Sequence, residues 1–349
     1  MKKLLNTFCA IWLLLAAVPA IAGGNDDDIH KEKNINKAYI VNADAGINIS
    51  NKYGNIYVTT WDENKIAIDV VIKVSGKNEA SVDKLLNAID VDLNALTTMV
   101  TAKTTFSGNT PRNTSMEINY TIKIPRHGSI KLNNQYGAII LDKIQGKSDI
   151  DCKYGDVTAA ELQNSSNYIH LEYCSGSSIG IVKNIKIDAK YSGINISKSG
   201  NISADLGYTN LTVKEADNIS YDANYGDLNF ADVNNLNGTG NYMSLKFGTI
   251  NSNMNINTNY SSIEVRKISA KANNIAITAN YTNINMRYDS DYAFDFDINL
   301  RYAGLDSALT FQSKKESNNS NNYKGFYKTT GTNKMSITSG YGNLKLTKI

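Results

Sequence analysis

Apolar and polar residues alternate in a unit that recurs through most of the chain. From Asn218 to Val233, apolar side chains alternate up to Tyr225, Gly226 follows, and the alternation then resumes. Successive side chains of a β-strand point to opposite faces, so this pattern predicts two strands separated by a bend. A bend costs least at Gly226, because glycine has no Cβ.

Variants of this unit are spaced almost evenly along the chain. Ten tyrosines mark them at intervals of 17 to 21 residues, namely Tyr136, Tyr154, Tyr173, Tyr191, Tyr208, Tyr225, Tyr242, Tyr260, Tyr281 and Tyr302. A nearly constant period in this range, with strand-forming residues, is typical of a stacked repeat. The sequence therefore predicts an all-β fold, a β-solenoid resembling a parallel β-helix, with coils of 17–21 residues.

The tyrosines also indicate which side chains point inward. Positions two and four residues before the tyrosine are mostly apolar, as are positions three and five residues after it. This change of phase requires a bend or bulge beside the tyrosine if one face is to stay inward. Other residues replace the glycine in several units, so we expect that the bend needs no positive φ in every coil. Because the tyrosines share their phase with apolar positions, we predict a stacked column at a corner of the core.

The pattern divides the chain into four segments. We predict a signal peptide over residues 1–22, a flexible leader over 23–37, a β-rich region over 38–128 and the solenoid over 129–349. The β-rich region should contain one helix at about 79–89, with Asn78 as its N-cap and apolar residues at helical spacing. In the solenoid, a polar loop is predicted over 313–322, and the last unit should cap the open end.

The first residues are typical of an export signal. Lys2 and Lys3 precede an apolar run from Phe8 to Val18, and Ala20-Ile21-Ala22 forms a small-x-small cleavage site. The run is too short to span a bilayer, and we expect no transmembrane segment in the mature chain. Cys9 is poorly placed for lipid attachment. A soluble exported protein is predicted, located in the periplasm, at the outer surface or outside the cell.

The net charge argues against one class of partner, and the cysteine content leaves open whether a disulfide forms. The chain has 36 Lys+Arg and 33 Asp+Glu, and loss of Lys2 and Lys3 with the signal leaves a net charge of +1. This near-neutral balance argues against nucleic acid as a partner. Export permits a disulfide between Cys152 and Cys174, but their different positions in successive units favour two thiols packed as small residues.

With these residues in view, the chain resembles a family of exported bacterial proteins named putative adhesins, which carry β-strand repeats. The resemblance rests on the signal peptide, the repeats and three short motifs: Tyr53-Gly54, the strand ending Ile122-Lys-Ile-Pro125 and the closing Gly340-Tyr-Gly-Asn-Leu344. It covers nearly the whole mature chain. The family resemblance implies a β-solenoid, and it implies no established activity.

Three groups of residues are candidate sites: the repeat tyrosines, the histidines and the outward asparagines. The tyrosines could form an aromatic strip for glycans, but a structural column is favoured because they share the phase of the core. His30, His127 and His170 are far apart in sequence and show no metal-ligand spacing, so surface or loop positions are favoured. Outward asparagines could bind sugars, although a solvated face with short asparagine ladders is favoured.

Acidic residues show no catalytic arrangement at the position tested. Two residues after the tyrosine, acids do not recur on successive units, and this argues against a polysaccharide-degrading site. The pairs Asp289/Asp291 and Asp295/Asp297 are interpreted as solvent-facing strand positions. We therefore expect no catalytic residues, no cofactor and no metal.

The function predicted from the sequence is that of an exported, non-enzymatic repeat protein. It would act as a cell-envelope scaffold or adhesin-like binding surface, with an envelope protein or a polysaccharide as its partner. Two alternatives are an outer-membrane β-barrel and a polysaccharide-active enzyme on a β-helix. The short alternating runs and the phase change after each tyrosine favour coils over the barrel.

Overall fold

The computed structural model describes residues 28–331 and 333–349. The predicted signal peptide, including Cys9, and the first part of the expected leader lie outside the described residues. Across the described segments, no helix has the length and apolar character needed to cross a bilayer.

The first part of the chain contains seven strands and one helix. They are β1 (Ile29–Ile40), β2 (Gly46–Lys52), β3 (Ile56–Trp61), β4 (Lys65–Gly76), α1 (Glu79–Ala88), β5 (Ile89–Ala95), β6 (Met99–Phe106) and β7 (Thr114–Pro125). Helix α1 begins after Asn78, whose side chain accepts a hydrogen bond from the Ser81 N–H at 2.9 Å. Val82 and Leu85 are buried on the face that packs against β4 and β1. The single predicted helix is confirmed.

The repeats begin at β8 and continue to the last described residues. Their first part comprises β8 (Ile130–Gln135), β9 (Ile139–Ile144), β10 (Ser148–Lys153), β11 (Val157–Leu162), β12 (Asn167–Glu172), β13 (Ser177–Lys190), β14 (Gly193–Gly207) and β15 (Asn210–Asn259). The remainder comprises β16 (Ser262–Ile268), β17 (Ile275–Asn280), β18 (Asn283–Tyr288), β19 (Phe294–Arg301), β20 (Leu305–Ser307), β21 (Ser313–Glu316), β22 (Ser320–Tyr327), β23 (Lys334–Gly340) and β24 (Leu344–Lys348).

Each coil consists of a strand before the tyrosine, the tyrosine, and a strand after it. Strands before the tyrosine pair in parallel and in register with their counterparts in the neighbouring coils, as β8, β10 and β12 do. Strands after the tyrosine pair likewise, as β9, β11 and β13 do. The two sets of strands form two faces of an open stack, and this confirms the predicted all-β solenoid-like fold.

The core lies between the two faces and is built from columns of identical positions. Leu132, Ile150 and Ile169 are in register four residues before their tyrosines, and all are buried. The same column contains Tyr221, whose ring occupies the space above Gly238. A Cβ on Gly238 would lie 2.0 Å from the Tyr221 ring, so this glycine compensates for the large neighbour. The break that Gly238 makes in the sequence pattern is therefore a packing feature.

The N-terminal region extends both faces beyond the coil of Tyr53. On one face β2 pairs with β6, and β6 with β5; on the other, β3 pairs with β7, β7 with β4, and β4 with β1. Residues 29–37, expected in a flexible leader, instead form most of β1, paired antiparallel with β4 from Ile29↔Gly76 to Ile40↔Lys65. This correction has a simple cause, because alternate residues of β1, such as Ile35, are packed against the core.

The other end of the stack does not follow the order of the sequence. Strand β23 lies between β17 and β19, and β24 lies between β18 and β20. The unit of Tyr341, expected as the terminal cap, is therefore inserted between the units of Tyr281 and Tyr302. The outer edge of β19 is covered by β22, which pairs with it antiparallel, and β21 completes a hairpin with β22. The predicted polar loop over 313–322 is largely this hairpin.

Candidate functional site

The bend in each coil is made by the tyrosine itself. Twelve tyrosines in the described residues have φ between 50° and 65°, in the left-handed region. They are the ten predicted repeat tyrosines together with Tyr53 and Tyr341. A left-handed residue between two strands changes the phase of the alternation, as the sequence requires. The expectation that the bend needs no positive φ in every coil was wrong, because it considered the glycine after the tyrosine instead of the tyrosine.

The tyrosine rings form one continuous stack, which we call the tyrosine ridge. Consecutive rings lie 4.6 to 5.3 Å apart between centroids and within 14° of parallel. At strand spacing the ridge is about 50 Å long. Phe106 packs edge-on against Tyr53 at one end, and the Arg301 guanidinium lies 5.4 Å from the Tyr302 centroid at the other.

The ridge lies on the surface instead of in a corner of the core. Eleven of its tyrosines in the described chain are 42–54% exposed, while Tyr53 is half-buried. Stacking covers the ring faces, so the exposed parts are ring edges and hydroxyl groups. Saccharides that stack on aromatic faces would find none open along the ridge. The ridge instead presents a row of phenol hydroxyls that can donate and accept hydrogen bonds.

The residue after each tyrosine satisfies the backbone at the bend. In several coils it is serine or threonine, and its hydroxyl donates to the carbonyl before the tyrosine, as Thr209 does to Gly207 at 2.9 Å. The same hydroxyl accepts the backbone N–H of the preceding coil, as Thr209 accepts from Ser192 at 3.3 Å. Glycine at this position permits close approach: a Cβ on Gly226 would lie 2.1 Å from the Thr209 carbonyl oxygen.

Asparagines form ladders along the stack, as the sequence predicted. One ladder joins Asn184, Asn201, Asn218, Asn235 and Asn253, with side-chain amide hydrogen bonds of 2.7 to 2.9 Å. A second joins Asn224, Asn241, Asn259 and Asn280 immediately before the tyrosines. Each amide inside a ladder donates to one neighbour and accepts from the other, which leaves one N–H and one lone pair for solvent or a ligand.

A groove runs beside the first ladder on the face that precedes the tyrosines. We call it the asparagine groove; it encloses about 580 Å³ and is lined on one side by Asn218, Asn235 and Asn253. Ser220 and Asn237 lie on its other side, and both are exposed. No charged residue lines it, so its hydrogen-bonding groups are neutral amides and hydroxyls.

The opposite face contains a second, larger groove near the C-terminal coils. It encloses about 680 Å³, and Ser262, Asn283 and Asn343 line it on the side nearer the ridge. Its charged lining residues have mixed signs, with Lys246 and Lys345 beside Glu264 and Asp306. Lys345 and Asp306 form an ion pair at 3.1 Å.

Sequence reasoning missed a column of acids three residues before the tyrosines. Asp188, Asp205 and Asp222 are in register on neighbouring strands, and the column continues through His170 to Asp151. At the position two residues after the tyrosine, the acids show no such column. Aligning the repeats three residues before it would have revealed the column.

The histidines and acidic pairs do not converge on one centre. His30 lies in β1, His127 follows β7, and His170 lies in β12, 3.4 Å from Glu172 and 3.5 Å from Asp188. Asp289 pairs with Lys267 at 2.9 Å, and the Asp291 N–H and the Lys267 ammonium lower the pKa of its carboxyl. In the described residues, no group of three His, Cys, Asp or Glu side chains could hold a metal ion.

Cys152 and Cys174 are free thiols, and both are buried. The Cys174 thiol lies 3.2 Å from the Cys152 carbonyl oxygen, so the two residues are close neighbours across adjacent coils. The interaction with the Cys174 side chain and burial raise the pKa of the Cys152 thiol, which keeps it protonated and unreactive.

Comparisons with known proteins give similarity to solved structures. No protein-family model matches the chain, and no curated protein matches it. A putative adhesin from Parabacteroides distasonis is 12% identical, with a TM-score of 0.38 over 73% of this chain and 96% of that one. A putative adhesin from Parabacteroides merdae is 10% identical, with a TM-score of 0.38 over 72% and 95%. A putative adhesin from Bacteroides fragilis is 10% identical, with a TM-score of 0.32 over 90% and 97%. All three of these solved structures are named putative adhesins.

Proposed function

We propose that the chain is an exported, non-enzymatic β-repeat protein that serves the cell envelope as an adhesin-like binding surface or a scaffold. Its partner would be a polysaccharide or a protein, bound in the periplasm, at the outer surface or outside the cell. The observation that carries the proposal is the asparagine groove, in which the same amide recurs on successive coils.

The spacing of the groove favours a polymer over a compact ligand. Neighbouring coils are separated by about 4.8 Å, so the uncommitted amide N–H groups and lone pairs form a regular row. A polymer with regularly spaced hydroxyls can bond to several of them at once. The groove has no charged lining residue, which favours a neutral polysaccharide over a charged peptide.

Filling the groove tests this assignment. In the protein of residues 28–349, we expect Ser220→Tyr with Asn237→Tyr to weaken polysaccharide binding by at least about tenfold, because the bulky rings occupy the ligand's volume. Asn195→Tyr with Thr158→Tyr makes the same change at exposed positions on strands after the tyrosine, away from the groove, and should leave binding unchanged. Glycan arrays and titration of the retained glycans provide the measurement.

Two results would contradict parts of the proposal. Unchanged affinity in the groove-filled variant would remove the groove as the site. If the wild-type chain retained no glycan and captured no envelope protein in a pull-down, the binding role would be lost and a scaffold would remain. Turnover of any polysaccharide in the same panel would contradict the non-enzymatic role.

A further inference from the structure

A hollow on the face that follows the tyrosines is surrounded by three basic side chains. We call it the cationic hollow; it encloses about 360 Å³, and Lys214, Lys246 and Arg266 line it. Its floor includes Ala231 and Gly248, which take the position occupied by Lys214 and Arg266 in the flanking coils. The small floor residues leave room between long basic side chains from three coils.

The floor is fixed by the backbone and not only by side-chain size. A Cβ on Gly248 would lie 2.2 Å from the Ala231 carbonyl oxygen, so the two strands approach too closely for a larger residue at 248. The hollow is therefore part of the coil geometry and is present before any ligand binds.

The three cations have no acidic partner in the described residues. Lys214, Lys246 and Arg266 form no ion pair within 4.0 Å, and all three are exposed. Among the nearby acids, Glu215 is paired with Lys198 at 2.6 Å, and Asp232 accepts a hydrogen bond from Asn251. Glu264 lies opposite Lys246 in the strand register but forms no ion pair with it within 4.0 Å. The lining of the hollow itself contains three cations and no acid, although the whole chain is nearly neutral.

Neutral hydrogen-bond donors complete the wall. Thr212, Asn229 and Thr249 line the hollow, and their side chains make no hydrogen bond within the described protein. Thr212 and Asn229 occupy the same repeat position as Lys246, four residues after the tyrosine. Hydroxyl and amide donors beside lysine and arginine are the groups that bind phosphate and sulfate oxygens.

We propose that the cationic hollow binds an oxyanion group, phosphate or sulfate, carried by a polysaccharide that lies across the coils. Arg266 can grip two oxygens of such a group, while Lys214 and Lys246 neutralise its charge. This site lies on the face that follows the tyrosines, whereas the asparagine groove lies on the face that precedes them, and it does not depend on the function proposed for that groove.

A charge-matched pair of variants tests the proposal. Lys214→Gln, Lys246→Gln and Arg266→Gln together should weaken binding to dextran sulfate by at least about tenfold, because three exposed charge contacts are removed. Lys183→Gln, Lys186→Gln and Lys190→Gln remove the same charge from exposed positions outside the hollow and should change affinity less than about threefold. Neutral dextran of the same length should not bind at the hollow, and added salt should weaken dextran sulfate binding.

Competition with inorganic sulfate or inorganic phosphate distinguishes a site for free anions from a site for anionic groups carried by a polymer. Binding of the polymer with no competition from millimolar inorganic anion would support the polymer, while full competition would assign the hollow to the free anion and contradict the polysaccharide. Equal losses in the two triple variants, or no binding of dextran sulfate to the wild-type chain, would overturn the site. Circular dichroism of both triple variants checks that the fold is retained. If one triple variant does not fold, dextran sulfate binding is measured on its three single-substitution variants instead.

Discussion

At the scale of single residues, the tyrosine ridge combines a backbone cost with a stacking gain. A left-handed conformation costs a non-glycine residue about 1–2 kcal/mol. Aromatic stacking returns about 0.5–1.5 kcal/mol per pair, and half-burial of each ring adds about 1 kcal/mol. The backbone cost and the gain from stacking and burial nearly cancel. The tyrosine is therefore tolerated at the bend because the neighbouring coils carry a tyrosine at the same position.

This balance predicts an unusual order of stabilities at Tyr225. Tyr225→Ala loses the stacking and keeps the left-handed cost, whereas Tyr225→Gly loses the stacking but removes that cost. We expect the alanine variant to be less stable than the glycine variant by about 1 kcal/mol in urea unfolding.

The matched control lies in the strand that follows the preceding tyrosine, Tyr208. Thr212 has no positive φ, so Thr212→Gly should be less stable than Thr212→Ala. The same order at both positions would contradict the left-handed assignment of Tyr225.

The residue scale is also where the sequence was least informative. Exposure of the tyrosines could not be inferred from their phase, because one left-handed residue belongs to neither strand and shifts the alternation by itself. The apolar columns before and after it were read correctly, as Ile150 and Val157 show. Hydrophobic periodicity indicates which side chains within a strand are buried, but it does not indicate whether the residue that joins two strands is buried or exposed.

At the scale of elements, each coil is held by its neighbours through two kinds of bond. Parallel strands pair through their backbones, and the asparagine ladders add side-chain bonds in the same direction. Strands of one coil cannot close a core alone, since both faces need neighbouring coils. The period and the strands were predictable for this reason, because their apolar pattern repeats whichever coil lies next to them. Helix α1 was predictable from the helical spacing of its own apolar residues.

The ladder bonds should contribute measurably to stability. Asn218→Ala removes the bond that Asn218 donates to Asn201 and the one it accepts from Asn235, so we expect a loss of about 1–2 kcal/mol. Urea unfolding of the variant against the wild-type chain provides the measurement.

Asn195→Ala is the control for this prediction. Asn195 is exposed and makes no side-chain hydrogen bond within the described residues, so its loss should cost less than about 0.5 kcal/mol. Equal effects of the two substitutions would show that the ladder adds nothing beyond a solvated asparagine.

At the scale of the whole molecule, the stack is closed at both ends by segments out of sequence order. β6 and β7 lie outside the coil of Tyr53, and the coil of Tyr341 lies inside that of Tyr302. The sequence could not show this, because units of similar pattern fit equally well at several places in a stack. Only contacts distant in sequence, such as those of β23 with β17 and β19, decide the order.

Placing a charge in the inserted coil should therefore affect the coil outside it. Ile337 is fully buried, opposite both Ile277 and Ile298, and Ile337→Asp should cost more than about 3 kcal/mol. Hydrogen exchange should show that β19 and β22 lose protection together with β23, while β8 to β14 keep theirs.

Thr338→Asp places the same charge at the next residue, which is exposed, and should leave exchange unchanged. Retained protection of β19 in the Ile337 variant would contradict the inserted position of β23.

The inserted coil also restricts the route by which the chain reaches its native state. During synthesis, residues 294–307 leave the ribosome before residues 334–348, yet in the native stack the later segment separates the earlier one from β17 and β18. The coil of Tyr302 cannot dock directly on that of Tyr281 without occupying the place of the later strands. Coils can therefore be added one after another during synthesis from the middle of the chain to the coil of Tyr281. The coil of Tyr302 can take its native place only after residues 334–348 have been made.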